Sequence, residues 1–327
     1  MTAGLFDFIL APVLVILACQ MLRVKDLFTG IVLYMVFGLL MALTWIQLRA
    51  PDIALVEAAI GSGVIGALFL GALGRLEDTA DSVKRPAGSL HCSGHKAKSF
   101  IGILCVLLGV ILTASALNLP EHTSGLSGWV NGEMPQSGVN NPVTAVILNF
   151  RAYDTLLEVG VLILALLASA SLIRFALIKT KPVPASEKLL DTFVFAAIPF
   201  MVLIAGYLLW AGSDKPGGAF QAGAIFSGAG VLALLAGRRV NFDIGKVWFR
   251  VLLTVGFFTF LIAGIVVMGN GAKFLEYPPE SAKFLILFIE AMAAVSIAGI
   301  FIYSFKICSG FLMDDRSSAN SKEDGGS

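Results

Sequence analysis

Residues 284–306 read FLILFIEAMAAVSIAGIFIYSFK, and only Glu290 and the final Lys306 among them are charged. A helix rises about 1.5 Å per residue, so a stretch of this length can cross the roughly 30 Å hydrocarbon core of a bilayer. Eight similar stretches precede it, at residues 4–22, 27–48, 52–74, 99–118, 154–177, 189–212, 219–237 and 249–270. The sequence therefore predicts an all-α polytopic membrane helix bundle with about nine transmembrane helices.

The Lys and Arg residues alternate sharply between successive loops. If the N-terminus lies outside, the inner segments hold 18 of them and the outer segments hold 5. Cytoplasmic loops carry the excess of basic residues in membrane proteins. The distribution predicts an N-terminus outside and a C-terminus inside.

Composition excludes several classes of function. The chain is 57% hydrophobic and 14% charged with a net charge of +1, and its basic residues are used by the topology, which argues against nucleic-acid binding. The first apolar stretch lacks a basic leading segment and a cleavage site, so it is expected to remain as a helix. The four cysteines, Cys19, Cys92, Cys105 and Cys308, show no disulfide framework.

No cofactor motif and no catalytic triad stand out in the sequence. The segment His91-Cys92-x-x-His95 offers three possible metal ligands, but a fourth is missing and the loop is basic, which favours an ordinary solvated loop. We therefore expect no cofactor, no metal site and no enzymatic chemistry beyond the movement of protons or ions.

Hydrophilic segments divide the predicted spans into groups. Residues 75–98 form an inner linker, residues 119–142 form an outer one, and Pro182 and Pro184 mark a stiff break between the fifth and sixth spans. Residues 311–327 are rich in Ser, Asn, Gly and charge, which predicts a disordered tail.

The stretch from residue 142 to residue 177 is too long for one span and must bend. We expect a short amphipathic helix over 143–150 on the outer surface, turning into the fifth span near Arg151. Its apolar stripe comprises Val143, Val146, Ile147 and Phe150. That geometry places Arg151, Asp154 and Glu158 on roughly one helical face at the membrane entrance, where an ion pair between Arg151 and Asp154 is the simplest explanation of those two residues.

Three acids lie well inside predicted spans, away from their ends: Glu57, Glu158 and Glu290. A carboxylate in hydrocarbon costs several kcal/mol, so such residues usually face a polar interior and often carry protons or cations. Burial also disfavours the charged form of a carboxyl group, which favours proton exchange. The alternative is that each acid is simply paired, or is protonated and hydrogen-bonded at a subunit interface. Asp52 and Asp154 fit helix-start acids.

Small residues are concentrated in two places. Gly61 and Gly63 follow Glu57, and the segment from Gly212 through Pro216, Gly217 and Gly218 opens a span that contains Gly223. Close helix packing is the simplest interpretation of such residues in a membrane. A second interpretation is a half-open helix start that presents backbone N–H groups to an anion or to a water-filled path.

Three motifs resemble known membrane complexes. Residues 50–63, APDIALVEAAIGSG, resemble a helix of D-type subunits of membrane-bound hydrogenases and the corresponding C-terminal region of the A subunit of Mrp antiporters. Residues 149–158, NFRAYDTLLE, are similar to a segment near the end of that A subunit or of the hydrogenase E subunit. Residues 212–223, GSDKPGGAFQAG, resemble a signature of the Mrp B subunit, with Ala219 in place of a third Gly.

This resemblance implies the tail of an A subunit fused to a B subunit. It divides the chain into a hydrogenase D-like, antiporter A-tail region (1–118), an E-like region with the outer helix and fifth span (119–180), a B-like four-helix region (181–310) and the tail. The family places the acids that match Glu57 and Glu158 on a path for protons or Na⁺, beside large antiporter-like subunits.

The leading hypothesis is a membrane subunit of an Mrp-type multisubunit Na⁺/H⁺ antiporter in the plasma membrane of a prokaryote. It would contribute a proton or cation path and a scaffold, with the large antiporter-like subunits, the small subunits and lipid as partners, and H⁺ and Na⁺ as the transported ions. The predicted ion or proton path comprises Glu57, Glu158, Glu290, Asp154 and Arg151. The alternatives are the membrane pump and anchor of a hydrogenase or related respiratory complex, and a purely structural scaffold.

Overall fold

The structure is a computed structural model, and it describes residues 4–82, 95–119, 125–175, 188–238 and 244–309. All regular elements in these ranges are helical. Two segments, π1 (Glu57–Val64) and π2 (Val146–Phe150), are wound as π-helix. The α-helices are α1 (Gly4–Arg23), α2 (Leu27–Gln47), α3 (Pro51–Val56), α4 (Ile65–Ser82), α5 (His95–Leu117), α6 (Ser127–Ser137), α7 (Pro142–Ala145), α8 (Ala152–Phe175), α9 (Lys188–Ala211), α10 (Ala219–Leu235), α11 (Val247–Gly269) and α12 (Pro279–Cys308).

Helices occupy all nine predicted spans, so the predicted all-α helix bundle is confirmed. Seven helical stretches in the described residues are long and apolar enough to cross a membrane, and two apolar helices, Phe8–Arg23 and Ala219–Leu235, are shorter. The third span is a single continuous helical rod in which α3, π1 and α4 follow one another. The orientation with the N-terminus outside stays a prediction.

Helix α12 is the central element of the bundle. It packs against α8, α10 and α11, and most of its length is buried. Small residues permit this packing: a Cβ at Gly223 of α10 would lie 3.1 Å from the carbonyl oxygen of Ala294, and a Cβ at Gly256 of α11 would lie 2.7 Å from the Cα of Ala293. Close approach of backbones replaces the hydrophobic driving force that lipid does not provide.

The outer segment between α5 and α8 is more helical than expected. Helix α6 lies within the predicted outer linker, and it ends at Gly138, whose φ of +71° is the left-handed conformation that glycine adopts most easily. Helix α7 and π2 together form the short helix predicted over 143–150, and the chain turns at Arg151 before α8 begins.

The predicted apolar stripe of this short helix does not face the bundle. Val143, Ile147 and Phe150 are exposed, whereas Ala145 and Leu148 on the other side are buried in the core. The core around them includes Phe260 of α11 and Ile289 of α12. The short helix is therefore wedged into the bundle and presents its stripe to the surroundings of the chain.

Several predictions fall on residues outside the described ranges. They are the side chains of the His91-Cys92-x-x-His95 segment, the break at Pro182 and Pro184, and the tail at 311–327. The division into regions at residues 118, 180 and 310 also stays a prediction.

Candidate functional site

The centre of the candidate site is the turn between α9 and α10, residues 212–218. Its two ends meet: the N–H groups of Gly212 and Gly218 both donate to the carbonyl oxygen of Leu208 at the end of α9. A Cβ at Gly212 would lie 2.9 Å from the Cα of Gly218, and Gly218 has a φ of +123°. Only glycine fits both the contact and the backbone conformation without strain.

Asn140, Asn141 and Thr144, at or just before the start of α7, hydrogen-bond to this turn, and we call this set of contacts the clasp. The Asn141 side chain donates to the carbonyl oxygens of Gly212, at 3.3 Å, and Lys215, at 3.0 Å, and the Thr144 hydroxyl donates to Gly212 at 2.5 Å. The N–H groups of Asn140 and Asn141 donate to the carbonyl oxygen of Ser213. These bonds fix the turn relative to α7, and thus connect the predicted E-like region to the predicted B-like region.

Asp214 is the charged member of this clasp. Its carboxylate accepts from the Lys283 ammonium at 3.0 Å, from the Ser213 hydroxyl at 2.9 Å and from the Asn140 side chain at 2.6 Å. These bonds, that from Lys283 most of all, hold the pKa of Asp214 below its usual value because each favours the ionised form.

On another side of the turn, two carboxyl groups accept from backbone N–H groups at and just before the start of α10. Asp52 accepts from the N–H of Gly217 at 3.1 Å, and Glu290 accepts from the N–H of Ala219 at 3.3 Å. Both acids are buried. The positive end of a helix and its unpaired N–H groups favour such an anionic partner. The first N–H of α10 is therefore bonded to an acid of the chain itself.

Asp52 lies in the first turn of α3, as expected of a helix-start acid, but its side chain does not cap that helix. No side chain caps the start of α3, and the Asp52 carboxylate instead reaches Gly217 across the bundle. The Gln221 amide also donates to the carbonyl oxygen of Asp52, at 3.4 Å. Asp52 thereby connects the third span to the start of α10, and this contact between distant segments cannot be predicted from the sequence around Asp52.

Glu57 begins π1 and is half-buried. Glycine supplies the space for its carboxylate on two sides: a Cβ at Gly61 would lie 2.6 Å from Glu57 Oε1, and a Cβ at Gly38 of α2 would lie 3.2 Å from it. Gly63 faces outward. π-Helical turns are frequent at functional sites, and here one begins at the acid itself.

Glu158 does not face the interior of this chain, which corrects the expectation of a polar interior around it. It is exposed on α8 beside the exposed apolar residues Leu157 and Val161. Arg151 and Asp154, about two turns and one turn earlier, form the expected i,i+3 ion pair at 2.5 Å, and both are exposed. In a membrane, an acid on such a face requires a polar neighbour beyond the described residues.

The structure thus brings some predicted residues together and leaves others apart. Gly217, Gly218 and Glu290 meet at the start of α10, and Gly223 packs behind them against α12. Pro216 is exposed on the same turn. Glu57 lies on π1 and Glu158 lies on α8. Helix α8 contacts α11, α12 and π2.

Sequence reasoning missed Asn141 and Thr144. The available signal was the sequence Asn-Pro before a helix, with Asn141 as the residue that caps α7. Among the described residues, no group of three or more His, Cys, Asp or Glu side chains could hold a metal ion.

Two family models match separate parts of the chain. Residues 12–78 match MbhD, the family of the D subunit of MBH, and residues 189–313 match the "Domain related to MnhB subunit of Na+/H+ antiporter". A Staphylococcus aureus protein named as an antiporter subunit, mnhA2, is 27% identical over 175 residues, which are 53% of this chain and 20% of that protein. The first part of the chain is therefore similar to hydrogenase D-type subunits, and the last part is similar to MnhB-type antiporter subunits. The chain spans about a fifth of the length of the curated relatives it matches.

Two solved structures share the fold. A chain of the Mrp complex from Dietzia sp. DQ12-45-1b has a TM-score of 0.76 at 19% identity, and the match covers 96% of this chain and 36% of that one. A chain of the membrane-bound sulfane sulfur reductase, an archaeal respiratory membrane complex, has a TM-score of 0.54 at 21% identity over 67% of this chain and 100% of that one. The relatives and the apolar helices identify a multi-pass protein of a prokaryotic plasma membrane.

Proposed function

We propose that this chain is a membrane subunit of an Mrp-type multisubunit Na⁺/H⁺ antiporter. It would supply part of a proton or cation path and a scaffold for the large antiporter-like subunits, with H⁺ and Na⁺ as the transported ions. Its role would be that of a transport subunit and not of an enzyme. The relatives named as antiporter subunits support this assignment over the hydrogenase alternative.

The observation that carries the proposal is the exposed carboxyl group of Glu158 on an apolar helix face. An acid cannot face lipid there without a cost of several kcal/mol, so a neighbouring subunit must complete its surroundings. A carboxyl group shared between two membrane subunits is suited to pass a proton or bind a cation between them. Glu57, in its glycine-lined recess, is the second proposed relay residue of the path.

Glu290 is proposed as a further proton-binding residue at the start of α10. Arg151 and Asp154 are proposed to border the outer entrance of the path, where their ion pair lies before Glu158 on α8. Pro216, Gly217, Gly218 and Gly223 are proposed to shape and pack the turn and α10, and Gly61 and Gly63 to shape π1 around Glu57.

The test is Na⁺/H⁺ exchange in inverted membrane vesicles containing the assembled complex. Glu57→Gln and Glu158→Gln keep the size of the side chain but remove the titrating proton, so each is expected to abolish exchange while the complex still assembles. Glu133→Gln, at an exposed position on α6, is the matched control. Normal exchange in both variants would contradict the proposed proton relay through Glu57 and Glu158. Co-purification of iron–sulfur subunits would instead favour the respiratory alternative.

A further inference from the structure

Glu290 is a buried acid with only half of its carboxyl group hydrogen-bonded. Its side chain is 3% exposed, and Oε1 accepts the N–H of Ala219. Its other oxygen, Oε2, has no hydrogen-bond partner among the described residues. A buried polar oxygen without a partner is unfavourable, and more so when the group is charged. A group other than the polar atoms of the described residues is therefore expected to satisfy Oε2.

A cavity of about 20 Å³ lies beside this carboxyl group. A buried water molecule needs roughly 10–15 Å³ of such space and two or more polar partners, so the cavity has room for one. The Gly217–Ala219 backbone, Gln221 and Thr155 line it together with Glu290. The Gln221 amide and the Thr155 hydroxyl donate to other groups, so it is their oxygen atoms that can accept a hydrogen bond from a water molecule. The rest of the lining is apolar.

The charges around the cavity favour a proton over a metal cation. Glu290 is the one titratable residue in the lining, because α8, α10, α11 and π2 contribute only uncharged side chains to it. Asp52, the nearest acid outside the lining, is already bonded to Gly217. A hard metal cation requires more oxygen ligands than this.

We propose that Glu290 and one water molecule form a proton-binding site at the start of α10. In the protonated form, Oε2–H donates to the water while Oε1 keeps the N–H of Ala219. In the ionised form, Oε2 accepts from the same water. The reaction is the addition of one H⁺ to a carboxylate, and it requires no other reactant.

The site is connected to the third span through one turn of backbone. Gly217, which bonds Asp52, is two residues from Ala219, which bonds Glu290. Asp52 lies on α3, five residues before Glu57. A proton at Glu290 therefore changes the charge next to the turn that holds the helix of Glu57. Use of this proton in transport rests on the proposed function; its binding does not.

The experiment is infrared difference spectroscopy of the purified complex between alkaline and acidic pH. A carboxyl group that gains a proton gains the C=O stretching band of the neutral acid. We expect Glu290→Gln to lose one such band and Glu280→Gln, an exposed acid at the start of the same helix, to keep it. An unchanged set of bands in Glu290→Gln would overturn the proposal.

Glu290→Asp is a second variant that tests the same site if Glu290→Gln prevents assembly of the complex. The shorter acid still binds a proton but moves away from the N–H of Ala219, so its band is expected at a shifted frequency. A spectrum identical to that of the unaltered complex would again overturn the site. The infrared measurements on both Glu290 variants do not depend on exchange activity. Normal exchange by Glu57→Gln and Glu158→Gln would therefore refute the proposed relay without affecting this test of Glu290.

Discussion

At the scale of single residues, glycine decides where the acids of this chain can sit. The Glu57 carboxylate lies against Gly61 of its own helix and Gly38 of α2, and the Glu290 carboxylate lies against Gly218, where a Cβ would come within 2.6 Å of Oε1. A methyl group at any of these positions would take the space of a carboxyl oxygen. The glycines are therefore part of the proposed path, although none carries a proton.

Gly61→Ala is expected to impair exchange without destabilising the protein. Alanine favours a helix over glycine by about 1 kcal/mol, so the fold has no local reason to weaken. The new Cβ would lie 2.6 Å from Glu57 Oε1 and must displace the carboxylate. The measurement is Na⁺/H⁺ exchange together with the thermal midpoint of the complex.

Gly102→Ala on α5 is the matched control, because a Cβ there meets nothing within 4 Å. It is expected to leave exchange unchanged. Full exchange by the Gly61→Ala variant would show that the position of the Glu57 carboxylate does not matter.

At the scale of elements, the decisive feature is the short α10 with its bonded start. The Asn141 and Thr144 side chains donate to the carbonyl oxygen of Gly212 in its turn, and the Asp52 and Glu290 carboxylates accept from the N–H groups of Gly217 and Ala219. The sequence indicated both close packing and an open helix start for this segment. In the structure Gly223 packs against α12, and the N–H of Ala219 at the start of α10 bonds to the Glu290 carboxylate.

The Asp214 clasp is expected to weaken in acid. Because its partners lower the pKa of Asp214 in the folded protein, the stabilisation is fully present above the ordinary value of 3.8 and is lost as the pH falls below it, through the lowered pKa. The thermal midpoint of Asp214→Asn should lie below that of the unaltered protein at neutral pH, and the two should converge in strong acid. A constant difference at all pH values would contradict this account. Glu133→Gln serves as the control for general effects of acid.

At the scale of the whole molecule, many large apolar side chains of the described residues are exposed. The part of α5 from Ser99 to Leu117 is exposed along its whole length. The exposed face of α8 carries Glu158 among apolar side chains. Exposed apolar surface of this kind is suited to contact with lipid or with other membrane subunits, which agrees with the proposed place of the chain in a larger complex.

A photo-crosslinking amino acid at Val161, one turn from Glu158 and 61% exposed, is expected to capture another membrane subunit of the complex. The physical reason is that the acid beside it requires a polar neighbour that the described residues do not supply. Mass spectrometry of the adducts identifies the neighbour. The same probe at Trp129 of α6, which is 76% exposed, controls for random collision. Adducts at Val161 with lipid alone would contradict the shared-acid arrangement.

The sequence by itself determined the helical membrane fold, the positions of the spans and the acids worth testing, because apolar length and the cost of buried charge are properties of the chain alone. It also determined the Arg151–Asp154 pair, which is local. Only the tertiary structure decided that Glu290 faces inward and Glu158 outward, that Asp52 reaches Gly217, and that Asn141 and Thr144 hold the same turn. These outcomes depend on how helices distant in sequence rotate and pack, which helical periodicity does not specify when every face is apolar.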